Sequence, residues 1–137
     1  MGGELRGIIF EKFTDMGALL FSFKGRTNRL PFWLVAIGLS IIGSGFNFAI
    51  GKFNSETFEK ISMGEGLFAL LTFLFTMWVG LAVQVKRWHD RDKSGWWVLI
   101  NLIPIIGTFW TVIECGFLSG SEGANRFGPN PKVKRLE

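Results

Sequence analysis

The sequence is poor in the residues from which reactive centres are built. Cys115 is its single cysteine and His89 its single histidine. One thiol excludes an internal disulfide, and without a second thiol or a histidine-rich tract no zinc-ligand spacing exists. No serine or cysteine nucleophile stands at a recognisable motif distance from His89. Charge is scarce too, at 19% of 137 residues, and it is withheld from three long stretches. Phe32–Ile50 and Gly66–Val85 contain no charged residue, and Trp96–Leu118 contains only Glu114.

Those stretches set the class. Each is long enough to cross about 30 Å of hydrocarbon at about 1.5 Å per residue. A hydrophobic content of 48% and an aromatic content of 15% lie on the membrane side of the soluble average. The pattern predicts one all-α domain, a small polytopic membrane helix bundle with an interfacial amphipathic amino-terminal helix. It divides into a cytoplasmic segment 1–31, a membrane domain 32–118 and a polar basic tail 119–137. Within the membrane domain, 32–50 and 66–85 are spans and 96–118 is a third apolar segment. The net charge of +4 invites a nucleic-acid reading. The basic residues, however, flank apolar runs and no groove-reading motif accompanies them, so anionic phospholipid head groups of the bilayer are the expected partner. No cofactor is expected. A long charged segment precedes the first apolar run and no small-residue cleavage pattern follows it, so Phe32–Ile50 is expected to remain as an uncut anchor.

Orientation follows from the turn Lys86-Arg87-Trp88-His89-Asp90-Arg91-Asp92-Lys93-Ser94-Gly95 between the second and third apolar runs. Its cations hold it in the cytoplasm by the positive-inside bias, and Trp88, Trp96 and Trp97 suit the interface. The amino terminus shares that side. There Leu5, Ile8, Ile9, Phe13, Met16, Leu19 and Leu20 recur at helical spacing, opposite Glu4, Arg6, Glu11, Lys12 and Asp15. Gly51–Glu65, poor in Lys and Arg, is the outer loop. Small or polar residues recur every fourth position in each apolar run: Ala36, Ser40, Ser44; then Thr72, Thr76, Gly80, Gln84; then Gly107, Thr111, Cys115, Ser119. Such stripes let helices approach closely. Asp92 or Ser94 is expected to cap the helix beginning near Trp96.

The third segment admits two readings, because Pro104 and Gly107 fall near its middle. Its length favours a kinked span. The positive-inside rule favours a re-entrant hairpin, since a span would send Arg126, Lys132, Lys134 and Arg135 outside. The sequence leaves both open.

Four ordered motifs carry a resemblance. They are Phe23-Lys24-Gly25-Arg26-Thr27-Asn28-Arg29 with Phe32-Trp33, Arg87-Trp88-His89-Asp90-Arg91 with Ser94-Gly95-Trp96-Trp97, Ile103-Pro104-Ile105-Ile106-Gly107, and Gly120-Ser121-Glu122-Gly123-Ala124-Asn125-Arg126-Phe127-Gly128-Pro129-Asn130-Pro131. Together they resemble the domain of unknown function 805, the YhaH-like bacterial inner-membrane proteins, over roughly residues 21–132. The resemblance implies a small bacterial inner-membrane protein without an established activity, and it supplies no catalytic residues.

The candidate residues are therefore read from their chemistry. Lys24, Arg26, Arg29, Arg87, Arg91 and Arg126 are candidates for lipid or anion binding, Arg by bidentate hydrogen bonds to phosphate and Lys as a point charge. If the tail returns to the inner face, Asn28, His89, Asp90 and Asn125 join them in one polar layer. His89 beside Asp90 suggests proton transfer, but neighbours on a helix point about 100° apart, so Asp90 is badly placed to orient His89. Asp90 is expected to pair with Arg87 or with a cation of another motif. Gln84, Asn101 and Glu114 are the intramembrane polar residues, the first two expected to hydrogen-bond between helices. The leading expectation is a non-enzymatic module that gathers anionic lipid and packs against itself or another membrane protein. The alternative is a small oligomeric transporter or channel subunit with Glu114, Asn101 or Gln84 facing a shared interior.

Overall fold

The computed structural model describes residues 15–49 and 62–132, so most of the amphipathic amino-terminal helix and of the outer loop lies outside the described residues. Helix α1 spans Arg29–Ala49 and helix α2 spans Met63–Asp90. Pro31 sits in the first turn of α1, where its missing N–H is not needed. Helix α2 begins earlier than its uncharged run because Ser62 and Glu65 form a reciprocal cap. Ser62 Oγ accepts from the Glu65 N–H at 3.3 Å, and the Glu65 carboxylate accepts from the Ser62 N–H at 2.8 Å. At 28 residues α2 is about 42 Å long. Its uncharged run Gly66–Val85 suffices for the hydrocarbon, and the turn Lys86–Asp90 lies beyond it.

The described residues are helical apart from turns and one isolated bridge, Asn125 with Gly128. Residues 15–21 are helical and lie on the flank of α2, with Phe21 6.0 Å from Phe75 and Phe23 edge-on to Trp78 at 5.0 Å. Helices α1 and α2 meet through Phe46 and Phe68 at 5.6 Å. Near Gly80, Leu39 of α1 comes within 3.6 Å of where a Cβ would stand. The small-residue stripes are used unequally. Thr111 and Cys115 are buried, whereas Ala36, Ser40 and Ser44 line an open groove on α1 that no described helix fills.

The third apolar segment reverses on itself. Ser94 Oγ accepts from the Trp96 N–H at 3.4 Å and caps a 3-10 helix, Gly95–Leu102. Asp92, the other expected cap, instead takes the left-handed turn at φ 57°. A helix α3, Ile106–Thr111, then leads into one π-helical stretch, Val112–Phe117. Between the two arms, Ile105 adopts φ 66° and ψ −68°, and the Ile106 N–H donates to the Pro104 carbonyl at 2.7 Å. That geometry is the rare three-residue turn that reverses the chain at the cost of strain. Gly107 makes the reversal fit, since a Cβ there would collide with the Ile100 carbonyl.

A polar triangle ties the arms to α2. Asn101 Nδ2 donates to Gln84 Oε1 at 3.0 Å, Thr111 Oγ1 donates to Asn101 Oδ1 at 2.9 Å, and Gln84 Nε2 donates to Thr111 Oγ1 at 3.3 Å. Both ends of the segment consequently sit against the same end of α2: Gly95 beside Val85 and His89, Glu114 beside Arg91 and Lys93. The two arms lie against each other, and the tail after Leu118 emerges beside the turn 86–95.

The apolar core is small and lies at that end: Val79, Ala82, Val83, Val85, Trp88 and Cys115. Elsewhere large apolar side chains point outward. A core helix of a water-soluble protein is mostly buried, yet the most apolar stretches of α1 and α2 are 0% and 17% buried. Bilayer hydrocarbon is the medium that suits such a surface.

Candidate functional site: a polar lock at the basic end

The hairpin's last turn ends in carbonyls that no helix bond satisfies. Side chains of other elements take them in succession. Arg87 Nε donates to Cys115 O at 2.6 Å and Trp33 Nε1 to Gly116 O at 3.1 Å. Arg29 Nη1 donates to Phe117 O at 2.9 Å, Arg87 Nη2 to Leu118 O, and Arg91 Nη1 to Ser119 O at 2.7 Å. Cations at a helix carboxy terminus also oppose its dipole. Gly116 permits the approach, with the Trp33 ring 2.8 Å from where a Cβ would lie.

Asp90 is the centre of the arrangement. It is 3% exposed, and its Oδ2 is paired with Arg87, which is 0% exposed. Its Oδ1 accepts from Arg26 Nε at 3.1 Å, with Arg26 Nη2 at 3.0 Å. Arg26 directs its remaining donors to the tail, reaching Gly123 O at 2.8 Å, Ser121 O at 2.9 Å and Gly128 O at 3.2 Å. Gly25, at φ 87°, lets the chain turn to deliver Arg26. The tail is held in return, since the Ser121 N–H donates to Asp90 O at 2.8 Å and Asn125 Nδ2 to His89 O at 2.8 Å. Gly120 permits this docking, because any Cβ there would strike the Asp90 carboxylate.

Of the residues expected in one polar layer, Asp90 bonds Arg26 and Arg87, Asn125 bonds the His89 carbonyl, Asn28 lines a cleft with Asp90, and Arg126 reaches Asp92 instead. Arg26, Arg87 and Arg91 are the candidate anion binders whose geometry tells most. The first two are spent on internal acceptors, and Arg91 is paired with Glu114 at 2.5 Å. Lys24, Arg29 and Arg126 remain exposed. Arg126 makes an open pair with Asp92 at 3.3 Å and lies over the Phe127 ring at 4.8 Å. Glu114 is buried but doubly paired, with Lys93 at 3.0 Å as its second cation.

His89 does not address Asp90. Its ring stacks on Phe127 with centroids 3.9 Å apart, and Nδ1 faces the Gly25 carbonyl at 3.1 Å. Burial lowers its pKa below 6.5 and Arg126 adds to the effect, while the Gly25 carbonyl opposes it. The charged form is thereby disfavoured, and the ring is placed for packing on Phe127 rather than beside Asp90. Among the described residues no three metal-ligating side chains converge.

Sequence reasoning missed Lys86, Lys93, Ser121 and Phe127. Lys86 is buried and caps the helix 15–21 through the Ala18 carbonyl and, at 2.6 Å, the Leu19 carbonyl. Lys93 sits 5.1 Å from the Trp97 ring and 5.5 Å from that of Trp88. The interleaving of Lys with Trp in the turn was a readable sign of the latter contact. Among the described residues two buried polar atoms lack partners, Asn28 Oδ1 and Trp88 Nε1.

An all-α chain with two exposed apolar helices of membrane length and a charged lock at one end is a small helical membrane protein. It belongs to the family described as a protein of unknown function, DUF805, whose model matches residues 20–129. The chain is 35% identical over 112 residues to the inner membrane protein YhaH of Escherichia coli (strain K12), covering 82% of this chain and 88% of that one. It is 35% identical over 111 residues to the inner membrane protein YhaI of the same strain, covering 80% and 86%. It is also 29% identical over 133 residues to the uncharacterized protein YiiR of that strain, covering 80% and 85%. No solved structure matches the chain significantly. The chain is accordingly an inner-membrane protein, and its activity is open to proposal.

Proposed function

We propose that the protein is a non-enzymatic membrane module whose basic end rests on the cytoplasmic head groups and gathers anionic lipid. One observation carries this reading: because the hairpin returns the tail, every Lys and Arg among the described residues lies at one end of the molecule. The positive-inside bias then assigns that end, with the helix 15–21, the turn 86–95 and the tail 119–132, to the cytoplasm. The cations divide into two groups. Arg26, Arg87 and Arg91 close the structure, leaving Lys24, Arg29 and Arg126 on the outer rim to meet phosphate.

A membrane partner, whether a second copy or another protein, has the unfilled groove along Ala36, Ser40 and Ser44 available to it. The transporter reading needs a polar side chain free to line a pathway. Gln84 and Asn101 are spent on each other and on Thr111, and Glu114 on two cations, so it has less support.

The test is retention of phosphatidylglycerol against phosphatidylcholine by protein in nanodiscs. Each rim cation contributes about 1 kcal/mol near an anionic surface. Replacing Lys24 and Arg126 together by Gln is therefore expected to lower the preference by roughly thirtyfold. An unchanged preference, or none in the wild type, would refute lipid association.

A further inference from the structure

We propose that the chain is a wedge in the bilayer, wider in the leaflet at its basic end than in the other, and that it partitions to membrane curved so that this leaflet is expanded.

The depth of each element carries the inference. Gln84 stands one residue from the end of the uncharged run of α2 and bonds both Asn101 and Thr111, so the two arms of the third segment are level there, near the edge of the hydrocarbon. Only the residues between those two reach deeper. From Thr111 back to Ile106, α3 extends about 8 Å at about 1.5 Å per residue, against a hydrocarbon layer of about 30 Å. The tip therefore stops within the leaflet at the basic end. It is apolar, with Ile103, Ile105 and Ile106 exposed by 51%, 72% and 66%, and lipid chains rather than water suit such a surface. Residues 15–28 keep to the same half. Lys86 holds the end of helix 15–21 through the Leu19 carbonyl at 2.6 Å, and the Thr27 N–H returns to the Lys86 carbonyl at 3.4 Å. The deepest ring contact between them is Phe21 with Phe75, halfway along Gly66–Val85.

Unequal cross-sections follow. The leaflet at the basic end holds α1, α2, both arms and helix 15–21. Beyond the midpoint the described residues contribute α1 and α2 alone, meeting at Phe46 and Phe68. A helix with its side chains is about 10–12 Å across, so each arm adds about 80–110 Å² to one leaflet only. Bending that makes the basic face convex relieves this mismatch. In the cell the expanded leaflet is the cytoplasmic one by the orientation proposed above, whereas the wedge itself depends neither on that orientation nor on the rim cations.

The test is a narrow tube drawn from a giant vesicle of phosphatidylcholine alone. A dye on Ala124→Cys reports the amount of protein and, by quenching from outside, which way each molecule faces. Molecules with the basic end outward should be enriched in the tube roughly twofold over the parent vesicle, and inward-facing ones depleted by a similar factor. Equal density in tube and parent, or enrichment that ignores the direction of insertion, would overturn the wedge. A spin label on Ile106→Cys should be relaxed by dissolved oxygen and not by a water-soluble nickel chelate supplied on either face. Relaxation by the chelate would place the tip in water and overturn the depth on which the wedge stands. Lys24→Gln with Arg126→Gln should leave the enrichment unchanged while weakening phosphatidylglycerol retention, so the wedge and the rim fail separately.

Discussion

Burying a carboxylate costs several kcal/mol unless its oxygens are fully engaged, and Asp90 engages both with guanidinium groups from two different segments. The same pairing neutralises Arg87, so each charge excuses the other. Asp90→Asn would leave Arg87 buried without its partner and is expected to destabilise the detergent-solubilised protein by about 3–5 kcal/mol, read as a lowered thermal midpoint. Arg126→Gln breaks an exposed pair with Asp92, a bond to the Asp92 carbonyl and a contact with the Phe127 ring, all at the surface, and should change stability by no more than about 1 kcal/mol. His89 makes a different prediction, one of pH. Its folded pKa lies below 6.5, so folding is unpenalised above that value. As the pH falls, the unfolded chain binds the proton first, and stability declines until the folded ring is protonated too. A melt series from pH 8 to pH 5 should therefore slope less steeply in His89→Phe than in the wild type. Equal slopes would show that His89 is not held neutral.

At the scale of elements, the hairpin is decided by a few backbone positions. Ile105 occupies a left-handed conformation that a β-branched residue rarely adopts, and its side chain is exposed. Ile105→Gly relieves strain of about 1–3 kcal/mol and loses little packing. Glycine's larger unfolded-state entropy offsets part of the gain. The variant is thus expected to be no less stable than the wild type in a thermal melt. Gly107→Ala should do the opposite, because the arms cannot separate without breaking the triangle of Gln84, Asn101 and Thr111. A loss of about 1–3 kcal/mol is expected, as for an overfilled core. Helices α1 and α2 were legible from charge-free runs alone, because a bilayer demands them. The hairpin was legible only as one of two choices. Pro104 and Gly107 mark a break, but whether a break kinks or reverses depends on partners such as Gln84 that lie far away in sequence. The lock was less legible still. The Arg side chains end on the carbonyls of Cys115, Phe117, Leu118 and Ser119, and a backbone carbonyl carries no sequence signature. Asp90 with Arg87 was readable from spacing; Arg26 reaching the same carboxylate was not.

For the whole molecule the consequence is an uneven distribution of order. Packing and polar bonding are concentrated at the basic end, while the opposite half of the described helices presents Phe73, Leu70, Ile41 and Phe48 to its surroundings. A bundle built this way is held in place by lipid rather than by its own core, so the side on which each segment lies becomes the decisive observable. The native thiol helps, because Cys115 is buried and leaves introduced cysteines as the reactive ones. Ser94→Cys in the turn and Ala124→Cys in the tail are expected to resist an impermeant thiol reagent applied to intact cells and to react once the membrane is opened. Ser62→Cys, at the start of α2, should react in intact cells. The two inner positions are linked by the structure, through Asn125 bonded to His89 and Arg126 bonded to Asp92. Reaction of Ala124→Cys from outside while Ser94→Cys stays protected would separate them by a bilayer, and the polar lock, the rim and the wedge would fall with that result.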